Sequence, residues 1–309
     1  MNRFIRKIVI ANTLILFLSP VAAVNSLDTT NKIRFYQTID ENSAHSSADK
    51  IDLLSRTLLG TEYIGGSVGE GARGKYDKDP LIRFDVFDCT TFVETILAGV
   101  VSSTSADFEA NLMRLRYKNA QVSFVSRNHF PSLDWFHNNQ ATLKDITPDV
   151  ANGGAKIAKT TIDKAAWYQH ISNEVIQCDR PASSDCRLLM SQLHAEGKVF
   201  VAEPAYLPYV PLTELFLGTD RHVNQALLDR IPSGSLISMV RPDWPLKQYI
   251  GTNMNVSHQG LAIRKNGKLF LRHASLTHKK VTDEGFAEYF SHYPDASSLK
   301  GFNVHVLRH

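Results

Sequence analysis

Residues 257–275, SHQGLAIRKNGKLFLRHAS, constrain this chain more than any other stretch. Two apolar runs flank Asn266-Gly267, a dipeptide favoured in two-residue hairpin turns because both central positions take φ > 0. If that pair is the turn, Lys265 faces Lys268 and the register follows by counting outward. His258 then lies opposite Ser275. His273, two residues from Ser275, shares its face and sits diagonal to His258. Such diagonals are roughly 7–8 Å long, inside the reach of two imidazoles. Gly260 and Ala262 lie between them on that face and leave room for a helix to approach. The spacing predicts an antiparallel sheet that carries two histidines side by side.

Other segments extend the picture. GSLISMV at 234–240 and the run at 302–307 add strands. VAEPAYLPYVPL at 201–212 is broken by Pro204, Pro208 and Pro211, which predicts an extended border and not a central strand. Ile51, Leu54 and Leu58 recur at helical spacing before Gly60. Phe92, Val93, Ile96, Leu97 and Val100 give a helix starting near Cys89 its apolar face, and Phe108, Leu112 and Leu115 mark another over 105–117. Residues 119–200 show no clean period. GEGARG at 69–74 matches G-x-G-x-x-G, but no apolar strand precedes it and KYDKDP is a poor helix start, so a mobile loop beside a cleft is expected. Helices in the first half and strands in the last third predict an α+β fold.

The ends carry their own information. Arg3, Arg6 and Lys7 precede an apolar run at 8–21, and Ala22-Ala23 offers small residues for cleavage. Residues 1–23 read as a cleavable secretory signal, too short for a membrane span. The mature protein is expected in the periplasm or outside the cell, with no membrane span and no lipid-bearing cysteine at its start. Residues 24–45 read as a flexible polar segment, and 46–309 as a single catalytic domain with an insertion around 110–215. The formal net charge is +3. The three leader cations account for all of it, so the mature chain is neutral and gives no support for nucleic-acid binding.

The chain has three cysteines. In an oxidising compartment Cys178 and Cys186 can close a small loop, and no ligand-rich spacing around them suggests a metal. That leaves Cys89 alone, at the start of a helix, where the dipole is expected to lower the thiol pKa. A lone cysteine is more often a small buried hydrophobe, and single histidines are commonly sheet-surface residues. Together with the cysteine parity, the three suggest a machine. Cys89 is the nucleophile, His258 its base and His273 the orienter, with the Cys89 N–H as oxyanion donor. No cofactor is required.

These residues also carry a family resemblance. DCTTFVE at 88–94, followed downstream by SHQGLAI and LRHAS, resembles the NlpC-type cell-wall cysteine hydrolases. LGTEYIGG (59–66), RNHFPSLDWFHNN (127–139), PYVPL (208–212), IPSGSLISMVRP (231–242) and GTNMNVSHQG (251–260) are similar to their N-acetylmuramoyl-L-alanine amidase-like branch. The resemblance implies a papain-like fold. In it, a helix N-terminus bearing the nucleophile packs on an antiparallel sheet bearing the histidines, with extra helical and loop insertions. It implies a peptidoglycan or muropeptide substrate cut between N-acetylmuramic acid and L-alanine, with catalytic Cys89, His258 and His273. It also implies an active-site role for Tyr63 and a substrate-contacting one for Tyr209. Arg127 and Arg241 are candidates for the substrate carboxylates, and Asn128, His129, Asp134 and Trp135 for the cleft lining. The last four have an alternative: a loop pinned by side-chain hydrogen bonds, with Trp135 in the core.

Rival readings share parts of this. A γ-D-glutamyl–diamino-acid endopeptidase or an acyltransferase would use the same triad. A zinc amidase could draw on His129, His137, His273 and His278, although no H-E-x-x-H occurs. A peptidoglycan-binding module without turnover would have no need of the three residues.

Overall fold

The 266–267 turn forms as the dipeptide requires. Asn266 and Gly267 take φ of 48° and 77°, and Lys265 pairs with Lys268, Ile263 with Phe270 and Leu261 with Arg272. The computed structural model describes residues 20–173, 175–176 and 183–308. Its frame is a ten-stranded sheet. In chain order the strands are β1 (Glu62–Tyr63), β2 (Val86–Phe87), β3 (Leu143–Asp145), β4 (Lys156–Asp163) and β5 (Ala202–Pro211). The rest are β6 (Leu236–Trp244), β7 (Met254–Lys265), β8 (Lys268–Ser275), β9 (Lys280–Gly285) and β10 (Gly301–Leu307). They lie in the order β2-β1-β9-β8-β7-β6-β10-β5-β4, with β3 paired to β10. Among the described residues only the short β1–β2 pair is parallel. The molecule is α+β.

Four helices cover one face: α1 (Pro20–Glu41), α2 (Ser47–Thr57), α3 (Cys89–Val101) and α4 (Phe108–Arg116). Phe92, Val93, Ile96 and Leu97 of α3 share a core with Leu236, Val240, Leu261, Ile263 and Ala274. The alternate sheet residues, Ile237, Met239, Ala262 and Leu271, join a second core with Phe286 and Phe290 of α5 (Phe286–Ser291). Alternation along a strand sends successive side chains to opposite faces, which is why one hairpin feeds two cores. Helix α3 therefore packs on the face opposite Ala262, a correction to the expectation that it would lie against Gly260 and Ala262. The room at Gly260 goes instead to β8: a Cβ there would come within 2.9 Å of His273 Cβ.

Three other expectations change. The segment 24–45 is no flexible tether, because α1 runs through it to Glu41. Phe35 and Ile39 are fully buried, Phe35 packs on Phe84 and Phe108, and Asn31 donates to the Phe84 carbonyl at 2.7 Å. The signal-peptide reading falls largely on residues 1–19, outside the described residues. Strand β5 is not a border: it pairs with β4 along its length and with β10 at Val210 and Pro211. Its prolines survive because most of its second edge has no ladder partner. The loop at 69–74 is packed. A Cβ on Gly69 would fall 2.1 Å from the Asp77 carboxylate, and one on Gly74 2.4 Å from the Asp77 carbonyl.

Cys89 is a free thiol and Cys186 is disulfide-bonded. Cys178 lies outside the described residues.

One buried charge ties helix to sheet. Arg272 is fully buried and forms two hydrogen bonds to Asp283, its ladder partner, at 2.7 and 2.9 Å. It also donates to Asp52 Oδ1 at 2.9 Å and Ser55 Oγ at 2.8 Å, both on α2. Burial works to raise the Asp283 pKa, but hydrogen bonds from Arg272 and Lys265 hold it below the ordinary carboxylate range. Removing one partner of such a pair leaves an uncompensated buried charge. Asp283→Ala is expected to cost about 3–5 kcal/mol in denaturant unfolding at neutral pH. A depressed carboxylate stabilises above its unfolded pKa, so the gap between wild type and variant should close as pH falls below about 4.

Candidate active site

Helix α3 begins at Cys89 because Asp88 caps it. The Asp88 carboxylate accepts from Thr91 N at 2.8 Å and the Thr91 hydroxyl accepts from Asp88 N at 3.0 Å, a reciprocal capping box. The cap takes the Thr91 and Phe92 N–H groups, and no hydrogen bond claims that of Cys89 among the described residues. The start of α3 meets the sheet at Gln259. The Thr90 hydroxyl donates to Gln259 Oε1 at 3.1 Å, the Gln259 side chain donates to Ser238 Oγ at 3.2 Å, and the Gln259 backbone N–H reaches the Cys89 sulfur.

The histidines meet as the hairpin register requires. His258 Nε2 and His273 Nδ1 are 2.7 Å apart, with the rings nearly perpendicular. A bulge sets His258 on its face. Met239 pairs with His258 but Val240 pairs with Val256, so one residue is extra. Val256 joins the α3 core, whereas His258 follows the alternation of Ala262. Bulges re-aim side chains in this way. Tyr289 of α5 closes the far side, its ring centroid 5.4 Å from that of His273 and 6.3 Å from that of His258.

Cys89 thus stands beside Gln259, the neighbour of His258, and no Cys89–His258 hydrogen bond joins them among the described residues. Both sense the Asp88 carboxylate. Burial pushes the His258 pKa down to about 4, opposed by the Asp88 carboxylate next to Cys89. Burial pushes Tyr63 up to about 12, and the charges of Cys89 and Asp88 add to it. Tyr63 therefore lies within electrostatic reach of the thiol. Burial and Asp88 push the Cys89 thiol up to about 11, against the Gln259 and Thr90 groups that lower it. This reverses the expected lowering. A helix start is worth about 0.3–1 kcal/mol, less than one pKa unit, and desolvation outweighs it.

The remaining sequence candidates separate. Arg127 faces Asp77 at 3.4 Å and Glu70 at 3.6 Å and donates to the Val68 carbonyl, so its charge is committed internally. Asn128 donates to the Leu115 carbonyl. His129 is wedged between Phe124 and Trp167 and bonds the Phe124 carbonyl. Asp134 accepts from Phe130 N and from Lys164. Trp135 is fully buried and donates to Glu94. The loop is pinned and Trp135 is core. Arg127, Asn128 and Asp134 do line a cavity of about 280 Å³, one without Cys89 or the histidine pair. Tyr209 is core as well. Arg241 alone keeps an uncommitted charge. It bonds the Ser298 hydroxyl and lies over Trp244 and Tyr293 at 5.1 and 5.6 Å, with no acidic partner among the described residues. The four histidines of the zinc reading form no ligand group among the described residues.

Sequence reasoning missed Gln259, Tyr289 and Glu284. Gln259 follows a named histidine and was open to notice. Tyr289 sits on a six-residue helix with no forecast, and Glu284 depends on the β8–β9 register, which no turn dipeptide signals.

The chain matches the model of the AmiA-like family, described as N-acetylmuramoyl-L-alanine amidase-like, over residues 53–297. It is similar to a solved structure from Legionella pneumophila strain Philadelphia 1, with 34% identity and a TM-score of 0.85. That match covers 92% of this chain and 96% of the other. An N-acetylmuramoyl-L-alanine amidase from Bacteroides uniformis shares the fold at 20% identity and a TM-score of 0.59, over 85% of this chain and 99% of its own. No curated protein matches.

With the thiol at about 11 and His258 at about 4, the resting pair at neutral pH is a thiol and a neutral imidazole. Alkylation of Cys89 by iodoacetamide should accelerate about tenfold per pH unit over roughly pH 6–10. A plateau across that range, read by mass spectrometry of the labelled protein, would instead indicate a preformed thiolate–imidazolium pair.

Proposed function

Since the chain belongs to the N-acetylmuramoyl-L-alanine amidase-like family, we propose that it is a peptidoglycan amidase that works by a Cys-His-His mechanism on a papain-like, NlpC-type frame. The observation that carries this reading is the 2.7 Å contact of His258 with His273 on the strand that meets free Cys89. The substrate is a muropeptide, and the bond cut joins the lactyl carbonyl of N-acetylmuramic acid to the nitrogen of L-alanine.

The starting protonation states define the steps. His258 takes the Cys89 proton as sulfur attacks the lactyl carbonyl, so charge appears only when substrate has displaced water. The Cys89 N–H faces the developing oxyanion. The imidazolium then gives its proton to the departing L-alanine nitrogen, and the C–N bond breaks to leave a thioester. Water, deprotonated by His258, attacks the thioester and frees the thiol. Tyr63 contributes a neutral phenol beside the sulfur. Arg241 is the candidate anchor for a substrate carboxylate, being the arginine of the two without an acidic partner. Export through the 1–23 leader completes the reading, and the disulfide at Cys186 supports an oxidising compartment.

Defined muropeptides digested by the mature protein should release a free peptide beginning with L-alanine, detected by mass spectrometry. Iodoacetamide and Cys89→Ser should each abolish release, with melting unchanged for Cys89→Ser. A new terminus after D-glutamate would move the scissile bond and favour the endopeptidase. Inhibition by EDTA and not by iodoacetamide would overturn the cysteine mechanism. His273→Asn should keep more activity than His273→Ala, because an amide can still hold an imidazole.

A further inference from the structure

We propose that Glu284 is a positioning residue that fixes the tautomers of the histidine pair, an inference that rests on the Cys-His-His reading. In the β8–β9 ladder Leu271 pairs with Glu284 and His273 with Thr282. Glu284 is therefore diagonal to His273 on the same face, as His258 is from the other side. Three adjacent strands thus carry His258, His273 and Glu284 in a row. His273 is 2% exposed and its Nε2 has no hydrogen-bond partner, while Glu284 Oε2 stands 3.4 Å away. A buried ring N–H left unmatched beside a carboxylate is an unfinished hydrogen bond, and a small rotation of either side chain completes it.

The consequence is a question of which nitrogen carries a proton. One member of the His258 Nε2–His273 Nδ1 contact must donate. A carboxylate accepts only, so it selects the His273 tautomer with hydrogen on Nε2. His273 Nδ1 is then the acceptor, and His258 Nε2 carries the hydrogen. That leaves a lone pair on His258 Nδ1, the nitrogen free to take the Cys89 proton. In the opposite tautomer His273 Nδ1 donates, His258 holds its hydrogen on Nδ1, and the base is lost. The other groups facing the pair do not make this choice. Asp283 is turned to Arg272 on the opposite face. Tyr289 meets His273 ring to ring. His278 and His292 approach the same Glu284 carboxylate at 3.5 and 3.7 Å but are themselves exposed.

The test uses the mature protein with Glu284→Ala, Glu284→Gln, Glu284→Leu, His278→Asn, His292→Asn and Cys89→Ser. Turnover of a defined muropeptide is followed with pH, and the His273 ring is read by 15N NMR. Glu284→Ala is expected to lower kcat about tenfold to a hundredfold with KM nearly unchanged, and to shift the His273 ring nitrogens toward the Nδ1–H pattern. Glu284→Gln, which keeps an acceptor oxygen, should recover part of kcat. His278→Asn and His292→Asn should leave kcat within about twofold. If Glu284→Ala fails to fold, Glu284→Leu, which fills the volume without an acceptor, decides: a uniform Nε2–H signal with wild-type kcat in that variant would overturn the proposal. Wild-type kcat and ring pattern in a folded Glu284→Ala would do the same while Cys89→Ser stays inactive. Turnover by Cys89→Ser would remove the triad reading itself, and this proposal with it.

Discussion

The arrangement of sheet and helix depends on Arg272 more than on Cys89 or either histidine. It is fully buried, between Asp283 on the neighbouring strand and Asp52 with Ser55 on α2. Strand alternation makes its position decisive. Arg272 and Asp283 are a facing pair on the helix side of the sheet, so the residues after them, His273 and Glu284, are turned to the other side. A slip of one residue between β8 and β9 would break the buried ion pair and separate His273 from Glu284 together. The same contact thus sets the register of the sheet and the alignment of His258, His273 and Glu284. Buried ion pairs are poor sources of net stability, because desolvation offsets their attraction. Their better-attested use is to make one register far cheaper than its neighbours, and Arg272 is placed to do that.

Burial has the same two-sided effect at the site. It pushes the thiol up to about 11 and the His258 and His273 imidazoles down to about 4 and about 3. Both shifts disfavour separated charge before substrate binds. In the proposed mechanism a substrate carbonyl at the helix start changes the balance, because the negative charge then moves to an oxygen facing the Cys89 N–H. A neutral resting pair would also suit the proposed export, since the thiolate is the form that reacts with stray oxidants and disulfides.

What the sequence made legible follows the range of its signals. The Asn266-Gly267 turn fixed a local register, and from it the pairing of His258 with His273 could be counted. The capped helix at Cys89 was equally local. The longer-range relations were hidden. Which face α3 would cover depends on how Leu261 and Ile263 alternate with Ala262, and both sets are apolar, so the pattern gave no preference. Helix α1 was missed because Phe35 and Ile39 are sparse among polar residues. Its place is set by packing on Phe84 and Phe108 more than by its own pattern. The bulge that turns His258 away from Val256 left no mark in composition.

The loop at 127–135 shows why polar residue types alone are weak guides to a site. Arg127, Asn128, His129 and Asp134 have the chemistry of a binding cleft, yet each has its hydrogen-bonding capacity directed at a buried neighbour. An irregular segment packed over a core must satisfy its backbone without ladder partners, and side chains of this kind are the means. The same chemistry therefore serves loop closure and ligand recognition, and what distinguishes them is whether the capacity is already used. By that criterion Arg127 is structural and Arg241 is available, because aromatic faces at Trp244 and Tyr293 hold its guanidinium without neutralising it. Its place near Tyr293, just past the helix that carries Tyr289 to the histidine pair, puts that unspent charge on the face of the sheet that holds His258 and His273.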